Sequence, residues 1–103
     1  MNITSRYSDI PTVTIDPLKV PEKFRALLPL AREWCIGDDV ELDAFIREAS
    51  EERKRKFVEA FLPHFDGLWQ WHEECAQLVP QPDELVLFDI AANAAATVQI
   101  SLQ

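Results

Sequence analysis

Glycine is almost absent: Gly37 and Gly67 are the only two in 103 residues. That excludes a P-loop and a glycine-rich dinucleotide turn, which need several glycines to bring backbone close to phosphate. Cysteine is nearly as scarce. Cys35 and Cys75 form no Cys-x-x-Cys, which excludes a thioredoxin-type redox motif and a zinc ribbon. The opening residues do not read as a basic and apolar leader, so the expectation is a cytoplasmic protein with reduced thiols. No apolar run reaches the roughly 18 residues that a membrane span needs. The longest candidate, Leu85 to Leu102, is interrupted by Asp89, Asn93, Gln99 and Ser101.

Positive charge is missing from nearly half the chain. Residues 57–103 contain no Lys or Arg, yet they hold Glu59, Asp66, Glu73, Glu74, Asp83, Glu84 and Asp89. The whole chain has 10 basic and 18 acidic residues, a formal charge of -8. Its one basic run is Arg53-Lys54-Arg55-Lys56. Such a surface repels phosphate backbones, so nucleic acid is not an expected partner.

Apolar residues make up 48% of the chain and aromatics 10%, enough to bury a core without disulfides or metals. Their spacing is helical. Residues 1–20 read as an irregular arm: Pro11 and Pro17 break helices, and Thr12-Val13-Thr14-Ile15 alternates as a short strand would. Residues 21–103 read as a single helical domain. The first helix is expected from Pro21, with Phe24, Leu27, Leu28, Ala31, Trp34 and Cys35 on one face and Gly37 as the stop. Asp38 or Asp39 caps the next helix, whose apolar face is Leu42, Phe45, Ile46 and Ala49. Residues 39–62 fit either one continuous helix or two with Ser50 as a cap. The basic run leans slightly toward one, because cations are poorly placed at a helix start.

From 51 to 78 a wide stripe runs through Phe57, Phe61, Phe65, Leu68, His72 and Cys75, flanked by Trp69 on one side and His64 and Trp71 on the other. Pro29 and Pro63 lie on the polar sides of their helices without shifting the stripes, so kinks are expected rather than breaks. Pro82, Asp83 and Glu84 open a last helix with Leu85, Phe88, Ala91, Ala92, Ala95, Val98 and Leu102 on its main stripe. Its final residues also alternate, which leaves their state open between helix and strand. The fold class that follows is all-α: a small bundle of four to five helices, with the kinked 51–78 helix central and most surrounded.

Chemical motifs fail on spacing. His72-Glu73-Glu74-Cys75-Ala76 starts like a zinc-protease helix but has Ala76 where the second histidine belongs. Asp39, Glu41 and Asp43 suggest a calcium loop, but Ala44 and Ser50 occupy the positions that need glycine and glutamate. His72 and Cys75 are spaced to share a metal, and only His64 and Cys35 could complete a closed site. The bland reading, packed residues on an aromatic face, outweighs it. No catalytic residue and no cofactor are expected.

The aromatic arc is wider than a surface helix requires. Core filling explains most of it. The sharper expectation is that part stays exposed as a protein contact, with Trp71 first, then Trp69, and Val86 and Ile90 extending the patch. The function expected is a non-catalytic protein-interaction or regulatory module, of inhibitor or immunity type in one version. It would act on a basic protein partner or on a second copy as a homodimer. The alternatives are a metal- or small-ligand-binding domain using His64, His72 and Cys75, and an enzyme whose site is assembled only by the fold.

Overall fold

The computed structural model describes residues 15–78 and 81–103. Most of the N-terminal arm, including Thr12 to Thr14, therefore lies outside the described residues, as do Val79 and Pro80. The fold is all-α, with no strand among the described residues. What is described of the arm is a 3-10 turn, Pro17–Lys19, capped by the Asp16 carboxylate on the Leu18 N–H.

A 3-10 stretch, Glu22–Leu27, leads into helix α1, Leu28–Glu33. Pro29 accounts for the change of pitch. It has no N–H to give to the carbonyl four residues back, so α-pairing begins only where proline occupies the first turn and needs no partner. Helix α2, Asp39–Glu48, starts where the Asp38 side chain accepts from the Val40 N–H. It ends at Ala49, which turns extended.

Residues 39–62 are therefore two helices, against the slight preference for one. Ser50 Oγ accepts the Arg53 N–H at 3.1 Å and opens α3, Glu51–Phe61. Glu51 and Glu52 put negative charge in its first turn. Arg53 turns away from the helix start: its Nε reaches Glu33 on α1 at 3.0 Å, and its guanidinium lies 4.8 Å from the Phe45 ring centroid. The cap and this relocation outweigh the unfavourable placement of the basic run.

Helical residues then continue without a gap through a 3-10 turn, Leu62–His64, into α4, Phe65–Glu74. Pro63 sits in that turn, as a kink requires. The last helix, α5, runs from Asp83 to Ser101, so the alternating end is helix rather than strand.

Helix α5 touches α1, α2, α3 and α4 and is the element most surrounded, a place expected for the 51–78 helix. It is apolar on most of its circumference, the pattern of a helix enclosed by others. Ala91, Ala94 and Ala95 are fully buried and let its neighbours approach closely. Aromatic rings fill the space around it. Trp34 stacks on Phe57 with centroids 4.5 Å apart, Phe57 meets Phe61, and Phe24, Trp71 and Phe88 form a second group against α5.

Candidate functional site

Helices α4 and α5 are joined by residues 75–82 and pack against each other. Between them lies an open groove of about 590 Å³. Phe65, Asp66, Leu68, Trp69 and His72 line it from α4, and Asp89, Ala92, Asn93 and Ala96 from α5. Both sets follow the spacing of one helix face, i, i+3, i+4, i+7. The groove therefore runs along about two turns, roughly 10 Å. Its walls are unequal: α4 contributes rings, while Ala92 and Ala96 on α5 leave room.

Its polar centre is a pair. His72 Nδ1 and Asp89 Oδ2 are 2.9 Å apart. Burial pushes the Asp89 carboxyl above the ordinary aspartate range, and the His72 hydrogen bond and charge pull it partly back. An ionised Asp89 accepts the Nδ1 hydrogen of His72, and in the neutral ring that tautomer has its lone pair on Nε2. Trp69 stacks on His72 with centroids 5.5 Å apart and 14° between planes, fixing the ring from the other side.

That orientation is one a general base uses. Among the described residues, no serine, cysteine or lysine lines the groove beside the pair. What the groove offers most of is apolar contact, with a few polar groups at its centre, the composition of a binding site.

The expected contact residues separate. Trp71, expected at the exposed edge of the arc, is 8% exposed and packed on Phe24 and Phe88. It belongs to the core, and the partner-contact assignment does not fit it. Trp69 is 63% exposed on the groove. Val86 and Ile90 are half-buried and do not line the groove. Sequence reasoning missed Asp89, Ala92, Asn93 and Ala96 as one wall. Their signal was a row of one charged, one amide and two small residues at helical spacing along an otherwise apolar helix.

The four metal candidates also part. His72 turns to Asp89, and His64 packs edge-on against Phe24 at 5.8 Å. Cys35 lies in the loop after α1, where burial pushes its thiol up to about 11. Cys75 is half-buried at the end of α4. Among the described residues, no three His, Cys, Asp or Glu side chains gather as a metal site needs. No helix among them is long and apolar enough to cross a membrane.

Comparison with known proteins gives no relative to set beside these residues: no family model, no curated protein and no solved structure matches the chain.

Proposed function

We propose that this chain is a protein-binding module that takes an amphipathic helix of a partner protein into the α4–α5 groove. The observation that carries this reading is Trp69. Its indole is 63% exposed on the rim of an apolar groove, while Trp34 and Trp71 are buried. Leaving so large an apolar side chain in water forgoes about 1.5–3 kcal/mol of burial, which a partner recovers. Tryptophan is also a frequent anchor of protein interfaces. A trough between two helices, two turns long with rings on one wall and alanines on the other, accepts a third helix through side chains spaced i, i+3, i+4, i+7.

The test is a selection of amphipathic helical peptides on the wild-type protein, counter-screened on Trp69→Ala. Because Trp69 is exposed, the variant keeps wild-type helicity and thermal stability. Peptides enriched on the wild type should lose about 2 kcal/mol or more of binding free energy on the variant. If the enriched peptides bind both proteins equally, the groove is not the contact surface and this reading falls.

A further inference from the structure

Resting on that reading, we infer that the helix taken by the groove is basic. It lays one lysine or arginine side chain on the open face of Trp69, within reach of the Asp66 and Asp89 carboxylates.

One face of the Trp69 ring is covered by His72 at 5.5 Å. The side chain nonetheless remains 63% exposed, so its other face meets solvent. An indole face attracts cations, most strongly among the aromatic rings. Asp66 stands three residues before Trp69 on α4, which makes the two surface neighbours. Both line the groove, and Asp89 faces them from α5.

Among the described residues, no lysine or arginine lines the groove. Residues 57–103 have no Lys or Arg, so neither wall can provide one. The Lys23 ammonium reaches α4 beside Gly67, but it sits over the Phe24 ring at 5.2 Å. Among the described residues Asp66 is in no ion pair, and Asp89 is paired only with His72. These two carboxylates, beside an open aromatic face and with no lysine or arginine on either wall, complement a basic segment.

Three synthetic peptides of about 18 residues, long enough for some helix in water, provide the test. They share one apolar face and carry Lys and Arg, Gln, or Glu on its flanks. Each is titrated into the full ¹⁵N-labelled chain at low salt, so that amide shifts report both place and affinity. The basic peptide should shift α4 and α5 amides around Trp69 and bind about tenfold tighter than the Gln peptide, with the Glu peptide weakest. Asp66→Asn should remove most of that advantage and leave the Gln peptide unchanged. Glu59→Gln, on α3 away from the groove, should leave the advantage in place. Equal binding of the basic and Gln peptides in the groove overturns the cation site and leaves the groove reading standing. Loss of the advantage in Glu59→Gln as large as in Asp66→Asn reduces it to diffuse attraction and also overturns the site. Binding of none of the peptides at the groove removes the groove reading, and the inference with it.

Discussion

Glu84 is the one buried charged side chain among the described residues, 2% exposed in the first turn of α5. Its carboxylate accepts the Asp16 N–H at 2.7 Å and so ties the segment before the bundle to the hub helix. A hydrogen bond to a charged group contributes about 1.5–3 kcal/mol. Glu84→Ala should therefore lower stability by that amount in urea unfolding and speed hydrogen exchange at the Asp16 amide. Glu84→Gln keeps an acceptor oxygen and should lose less. Unchanged exchange at Asp16 in the alanine variant would mean the bond does not hold the segment. Asp89 has the opposite sign. Its carboxyl is raised above the ordinary 3.8 because burial disfavours its charge. A raised carboxyl contributes stability that is present below the unfolded-state value and lost as pH rises through the folded-state one. At neutral pH the native protein therefore carries the cost of a desolvated charge. Asp89→Asn removes that charge and retains an acceptor for the His72 Nδ1–H. The variant should unfold at higher urea than wild type at pH 7, and the difference should shrink as pH falls below the aspartate range. A deficit at pH 7 would show that the His72 pair outweighs the burial.

At the scale of the element, Gly67 shows packing overruling propensity. It lies inside α4, where alanine would be favoured by about 1 kcal/mol. A Cβ there would meet the Phe24 ring at 3.0 and 3.3 Å. That ring is 1% exposed and held by Trp71 and Phe88, so it has little room to give. Overpacking of this kind costs about 1–3 kcal/mol. Gly67→Ala should lower the thermal midpoint in spite of its better helix propensity, and a raised midpoint would show that the ring moves aside. Local rules of this kind decided what could be read in advance. Apolar stripes carried the helices, because the period of a face is written in consecutive residues. The sequence does not decide the division at Ala49 and Ser50, because a cap of one hydrogen bond competes with a run of four cations, and where Arg53 points is a tertiary matter. The groove was half legible. Its α4 wall stands in the stripe, but Phe65 and His72 read as core there because nothing local says that the facing helix carries Ala92 and Ala96 opposite them. Trp69 and Trp71, two residues apart, lie on opposite sides of that same uncertainty.

At the scale of the whole molecule, charge is distributed more simply than shape. All 10 basic residues lie before position 57, and the four helices and turns around α5 bring the two parts together. The ion pairs Arg47–Asp43, Arg55–Glu51 and Arg53–Glu33 are all solvent-exposed and join basic residues to carboxylates that also lie before position 57. Such pairs contribute about 0–1 kcal/mol each. They do not alter the formal charge of -8, so the folded surface carries an excess of negative charge that repels itself. Compaction raises this repulsion, and salt screens it within a Debye length of about 10 Å at 0.1 M. Moving from about 0.02 to 0.2 M sodium chloride should therefore raise the thermal midpoint by a few degrees, the shift that about 1 kcal/mol gives a domain of this size. A fall would mean that the exposed ion pairs dominate instead. The same screening acts on a basic helix in the groove with the reverse sign, since attraction to Asp66 and Asp89 weakens as salt is added. Stability rising while affinity for the basic peptide falls, over one salt series on one sample, would trace both to a single negative field. If both rise together, apolar burial governs the groove and the carboxylates there are bystanders.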